Sequence, residues 1–339
     1  MNFRSDNTAP VAPEIMKALA HANEPAHATA YGADEESLHL QQAFGDLFER
    51  EVKVFTVASG TAANSIALAS MTSPWGAILC HREAHIECDE GGAPTFFTGG
   101  AKLVLMDGAM AKANPAAVEE AAARNARGIH SVLPQALSIT QATERGAAYR
   151  PDEVAALGET ARRLGLALHM DGARFANAVA ALGCKPAEIT WRAGVDVLSF
   201  GATKNGALAA EAIVCFNPAR AEGIERQRKR GGHLFSKGRF VAAQFRAYLA
   251  DDLWLKLAGR ANQLAHRIGE AAGPHLSHRV DTNQVFISSG PGLLQRLREQ
   301  GVEFYDWGPE GGGEARLVVS WNQSESDVDA LCAMLRAMR

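Results

Sequence analysis

Lys204 lies in the run Ser199-Phe200-Gly201-Ala202-Thr203-Lys204-Asn205, just past an apolar stretch, Val195 to Phe200. An amine presented there can capture a carbonyl as a Schiff base. Asp171 ends a second apolar stretch, Leu166 to Met170, and Arg174 follows three residues on. A carboxylate in that place can keep a heteroaromatic nitrogen protonated. A guanidinium such as Arg174 or Arg316 can grip a carboxylate bidentately. Ser59-Gly60-Thr61 follows Val52 to Val57 and opens a helical stretch through Ala69. Gly60 and Thr61 can there offer backbone N–H groups and a hydroxyl to a phosphate. His85, five residues past Cys80, is flat enough to stack on a ring.

Each residue also has an ordinary use. A single Asp at a strand end is commonly a helix cap, a single Lys is commonly solvated, and Ser and Thr are everyday caps. Their coincidence at strand ends is what points to chemistry. A lysine, a carboxylate, a phosphate cradle and a stacking ring are together what pyridoxal 5′-phosphate (PLP) requires. No G-x-x-x-x-G-K-[ST] or G-x-G-x-x-G follows the first strand, which disfavours a nucleotide-binding protein.

These residues need a frame. Strands are expected at Val52–Val57, Ala77–Cys80, Lys102–Met106, Ser131–Thr140, Leu166–Met170, Val195–Phe200 and Ala212–Phe216. Helices lie between them, at Pro115–Arg124 and from Pro151, where Val154, Leu157, Ala161 and Leu164 keep helical spacing up to Gly165. Alternating strands and helices imply an α/β fold with a mostly parallel, doubly wound sheet. In such sheets ligands bind beyond the carboxyl ends of the strands. A largely helical region, Ala219 to Ala272, breaks at Gly231-Gly232. Strands near Val280–Ser288 and Ala315–Trp321, with helices near Gly292–Glu299 and Glu325–Met338, make a small C-terminal α+β domain. Gly311-Gly312-Gly313 reads as a loop. The expected division is 1–246, a large PLP-binding domain, and 247–339, the small one.

The chain has 339 residues, 47% hydrophobic and 21% charged, with a formal net charge of −4. That charge gives no reason to expect nucleic acid or a membrane as partner. No run of about 18 apolar residues suggests a transmembrane span, and no apolar segment follows a basic start as in a secretory signal. The five cysteines form no C-x-x-C pair and read as free thiols in the cytoplasm. No metal site is expected.

The chain resembles the threonine aldolase branch of the fold-type I PLP enzymes. The resemblance is carried by Phe3-Arg4-Ser5-Asp6-Asn7-Thr8, Tyr31-Gly32, Ser59-Gly60-Thr61-Ala62-Ala63-Asn64 and Ala84-His85-Ile86. It continues in His169-Met170-Asp171-Gly172-Ala173-Arg174, Ser199 to Asn205 and Arg316-Leu317-Val318. It implies that Lys204 is the Schiff-base lysine, Asp171 the pyridinium partner, and His85 a ring-stacking residue that reaches toward the substrate hydroxyl. Gly60 and Thr61 would hold phosphate. Ser5, Arg174 and Arg316 would bind the substrate carboxylate, with Arg174 also close to the cofactor and Tyr31 on the substrate side. The basic run around Arg228 and Lys229 would bring charge to the phosphate, often from a neighbouring subunit, so a homodimer or homotetramer is implied. An alternative use of that run is a solvated helix face.

One departure concerns the Glu-Asn-Thr-His-Asn segment common in threonine aldolases. The matching stretch here is taken as Ser138-Ile139-Thr140-Gln141-Ala142, with Gln141 in place of the His near the substrate hydroxyl. Glutamine hydrogen-bonds but takes up no proton, so a base role would pass to His85 or a water. The implied reaction is retro-aldol cleavage of a β-hydroxy-α-amino acid (threonine, allo-threonine or phenylserine) to glycine and an aldehyde. A β-eliminating lyase or racemase on the same scaffold, and a PLP-binding protein without turnover, are the alternatives.

Overall fold

The structure is a computed structural model that describes residues 1–288, 291–308 and 312–338; Gly311 of the expected glycine loop lies outside them. Its centre is a seven-stranded sheet. The strands are β1 (Lys53–Val57), β2 (Gly76–His81), β3 (Lys102–Met106), β4 (Leu133–Thr140), β5 (Ala167–Gly172), β6 (Val197–Gly201) and β7 (Glu211–Cys215). Their spatial order is β1-β7-β6-β5-β4-β2-β3. Only β7 runs against its neighbours, so β1 to β6 all point the same way. A second, antiparallel sheet has the order β8-β10-β9, with β8 (Gln284–Ser288), β9 (Tyr305–Asp306) and β10 (Glu314–Val318). The two-residue strand β9 and the helices Pro13–Ala22 and Glu35–Phe48 were not foreseen from the pattern.

Alternation along the strands sorts side chains onto two faces. Leu79, Leu137, Leu168, Leu198 and Val214 join a core rich in phenylalanine, with Phe44, Phe48, Phe175, Phe200 and Phe245. Ile78, Cys80, Ala136, Ala167, Val197 and Ile213 point the other way, toward the helix Gly60–Ala69. The expected helical region is three helices, Ala221–Arg230, Arg239–Leu249 and Leu253–Ala272. The last links two cores: Trp254 and Ala258 pack in the phenylalanine cluster, while Leu264, Ala265 and Ile268 pack against the small sheet. Phe3, near the chain start, is buried in that second core, and its carbonyl accepts from the Val318 amide at 2.8 Å.

Candidate active site

Counting along the strands puts Ser59, His85, Gln141, Asp171 and Lys204 beyond the carboxyl ends of β1, β2, β4, β5 and β6 or at their last residues. Two glycines let β5 and β6 end side by side. A Cβ on Gly172 would stand 2.7 Å from the Ser199 carbonyl oxygen, and one on Gly201 would stand 2.8 Å from that of Ala173. The runs Asp-Gly-Ala-Arg and Phe-Gly-Ala-Thr-Lys therefore need glycine for close packing.

Asp171 is buried and takes hydrogen bonds from the Ala173 amide (2.9 Å) and from Asn64 Nδ2 (2.8 Å). Asn64 Nδ2 also donates to Glu90 Oε1 at 2.8 Å, and His85 Nδ1 shares that oxygen at 2.9 Å. The contact with Glu90 raises the His85 pKa against the opposing effect of burial. Beneath Asp171, on the same face of the sheet, His169 bridges Ser138 (2.9 Å) and Ser199 (3.0 Å). Burial pushes His169 down to about 4, so it is a neutral spacer across β4, β5 and β6.

The helix Gly60–Ala69 is capped by Ser59, whose Oγ accepts from the Ala62 amide. A Cβ built on Gly60 would meet no atom within 4 Å, so space opens at the first turn. Asn64 lies four residues on, about 6 Å along the axis. The helix thus presents an anion cradle at its start and a fixed carboxylate one turn below. Arg228 comes in beneath: Nε donates to the Thr56 carbonyl (2.7 Å) and Nη2 to Thr56 Oγ1 (2.9 Å).

Two arginines on the opposite side have different duties. Arg174 is locked bidentately onto Asp6, at 2.8 and 3.0 Å. Burial raises the Asp6 pKa, but the charges of Arg174 and Lys204 and the bonds from Arg174 and Asn283 outweigh it and hold the group low. Arg316 stacks on Trp307 at 4.8 Å, and its buried Nε has no partner among the described residues. It is the guanidinium left free to meet a carboxylate. Ser5 Oγ accepts from the Asn7 amide and turns the chain so that Asp6 points inward.

Gln141 does not face this space. It is fully buried, its Nε2 donates to the Tyr149 carbonyl (2.8 Å) and its Oε1 accepts from the Tyr149 amide (2.9 Å). Both polar ends are spent on backbone, so the side chain closes a loop rather than meeting a substrate. The residue of that loop that does face the site is Glu144. It lies within electrostatic reach of Asp171, His85, Lys204 and Arg174. Tyr31 and Lys229 are exposed, and within this chain they meet each other, the ammonium 5.3 Å from the ring centroid.

Asp6, Asn64, Glu90 and Glu144 carry much of this geometry and were given no role from sequence. Asn64 had a signal, an amide in an alanine-rich helix one turn past Gly60. Glu144 had one too, a charge amid small residues just after a strand.

The residues fit PLP. There is a cradle open at Gly60, a hydrogen-bonded carboxylate one helical turn away, a histidine held in place and a half-buried Lys204 on the β6 loop. The chain is 42% identical to the low specificity L-threonine aldolase of Pseudomonas aeruginosa, across 99% of this chain and 96% of that one. It is 43% identical to the protein of the same name from a Pseudomonas species, across 99% and 97%. A solved threonine aldolase from Leishmania major superimposes with a TM-score of 0.93 at 27% identity, covering 99% of each chain. A family model described as beta-eliminating lyase matches residues 2–289. With most of the chain matched and relatives this similar along nearly their whole length, the protein belongs to the beta-eliminating lyase family.

Proposed function

We propose that this protein is a low-specificity threonine aldolase. Using PLP, it cleaves L-threonine, L-allo-threonine and related β-hydroxy-α-amino acids, phenylserine among them, to glycine and an aldehyde. The observation that carries the reading is the free Arg316 guanidinium in the electrostatic neighbourhood of Arg174, Asp6 and Glu144, the last two of which also act on Lys204 or feel its charge. When bound, the cofactor supplies the electron sink that makes a Cα–Cβ bond breakable.

The chain's residues do the rest. Lys204 offers the amine that would hold the cofactor. Asp171, fixed by Asn64 and Ala173, holds a proton on the ring nitrogen. The amides at Gly60 and Thr61, at the open first turn of the helix, would receive the phosphate, with Arg228 held on Thr56 nearby. Arg316 binds the substrate carboxylate, and Asp6 keeps Arg174 rigid beside it. His85, oriented by Glu90, bounds the side where the β-hydroxyl must lie.

The exposed Tyr31–Lys229 pair supports assembly as a homodimer or homotetramer with sites completed across the subunit interface. No helix among the described residues is long and apolar enough to cross a membrane. The free cysteines support a cytoplasmic enzyme. Threonine, allo-threonine, serine and phenylserine should be assayed for glycine and aldehyde, against pyruvate and ammonia. Aldehyde with glycine is expected, and pyruvate with ammonia would refute the reading. Lys204→Ala should lose both the lysine-linked absorbance of the cofactor and turnover.

A further inference from the structure

Among the described residues, five buried carboxyl groups lie in the electrostatic neighbourhood of Lys204 or of Asp171: Asp6, Glu90, Glu144, Asp171 and Glu211. Four have donors. Asp6 takes Arg174 and Asn283, Glu90 takes His85 and Asn64, Asp171 takes Asn64 and the Ala173 amide, and Glu211 takes Thr203. Glu144 is only 8% exposed, yet no donor among the described residues hydrogen-bonds to it. A carboxylate largely withdrawn from water and given no protein donor keeps its lone pairs free for a ligand.

Its position is held from both sides. Gln141 closes the loop onto Tyr149, and Thr143 donates through its amide to Ala147 and through Oγ1 to Met110, both at 2.9 Å. The next residue, Arg145, bonds Glu83 (2.9 Å) and Glu314 (3.0 Å). Glu83 lies two residues before His85, and Glu314 two before Arg316. One arginine therefore ties the Glu144 loop to the segment bearing His85 and to the strand bearing the free guanidinium. A substrate with its carboxylate on Arg316 and its amine toward Lys204 has His85 and Glu144 left to face its β-substituent. His85 has spent Nδ1 on Glu90, and that contact raises the His85 pKa.

We propose that Glu144 is the catalytic base of the cleavage step and takes the proton of the substrate's β-hydroxyl. The O–H pair becomes the second C–O bond of the aldehyde. The Cα–Cβ bond breaks and its pair stays with Cα. The proton gained by Glu144 balances the one Cα takes up to become glycine. The inference rests on the aldolase reading above. Burial, with Asp171 adding to it, raises the Glu144 pKa against the opposing charges of His85, Lys204 and Arg174. The charged and titratable groups facing it are Asp171, His85, Lys204, Arg174, Arg316 and Cys88.

The test separates cleavage from a reaction that has no hydroxyl. Glycine exchanges its Cα hydrogen with D2O, read by NMR, using the same cofactor and lysine but no β-hydroxyl proton. With PLP-loaded enzyme, Glu144→Gln should lower kcat for cleavage about 10²–10⁴-fold and remove the acidic limb of its pH profile. Glycine exchange and the visible absorbance should stay within about twofold of wild type, and Glu144→Asp should recover part of the cleavage. Should Glu144→Gln not fold, Glu144→Asp alone decides, by a selective loss of cleavage over exchange. Cleavage within threefold of wild type, or exchange and cleavage falling together, would overturn the proposal. Wild-type enzyme that exchanges glycine but releases no aldehyde would instead sink the aldolase reading, and the proposal with it.

Discussion

Asp6→Asn is the sharpest test of how the site is held. The carboxylate is 1% exposed and grips Arg174, itself 8% exposed, through two hydrogen bonds, while Asn283 donates a third at 3.0 Å. The variant keeps the shape and removes the charge, leaving a buried guanidinium without its counterion. Breaking a buried pair from one side costs about 3–5 kcal/mol. At about 2.1 cal/mol/K per residue, a chain of 339 residues has an unfolding entropy of about 0.7 kcal/mol/K. The midpoint of thermal unfolding should therefore fall by about 4–7 °C, measured by calorimetry on PLP-saturated protein at pH 7. The pH dependence has a definite sign. The folded Asp6 pKa lies below its ordinary value, so its stabilisation is present above that ordinary value and is lost as pH falls through the folded one. The gap between wild type and variant should be constant from pH 6 to 8 and close below about pH 4. A shift of less than 1 °C at pH 7 would show that Asp6 does not hold Arg174, and the assignment of Arg316 as the unpaired guanidinium would lose its basis.

Two further substitutions probe the same division of labour. Arg316→Lys keeps the charge but loses the planar fork, and charge-assisted hydrogen bonds of about 1.5–3 kcal/mol put the rise in KM at about 10–150-fold with kcat much less affected; an equal fall in kcat at constant KM would contradict carboxylate binding. Gln141→Leu strands the amide and carbonyl of Tyr149, at about 1–3 kcal/mol each, so it should lower the unfolding midpoint by several degrees and leave the ratio of threonine to allo-threonine cleavage unchanged. A changed ratio with unchanged stability would return Gln141 to the substrate.

Much of the frame was legible because period and position are local properties. A buried strand shows as a short apolar run, and the residue after it lies at the sheet edge whatever the rest of the chain does. That is why Lys204, Asp171, His85 and Gly60 could be brought to one edge from their spacing alone. The same rule says where a side chain is, not what it touches. Arg174 and Arg316 look interchangeable as sequence, and only tertiary contact distinguishes them: Asp6, brought in from 168 residues away, claims one and leaves the other. The loop after β4 illustrates the limit more sharply. Beyond a strand end the alternation of faces stops, so counting from Thr140 cannot tell which of the next residues points inward. Gln141 matches the two backbone groups of Tyr149 and is drawn to them, and the turn they close carries Glu144 to the site in its place. A residue's type sets which partners it can satisfy. In this loop the partner that won was backbone eight residues on, and that local choice leaves Glu144 in the electrostatic neighbourhood of Asp171, His85 and Lys204.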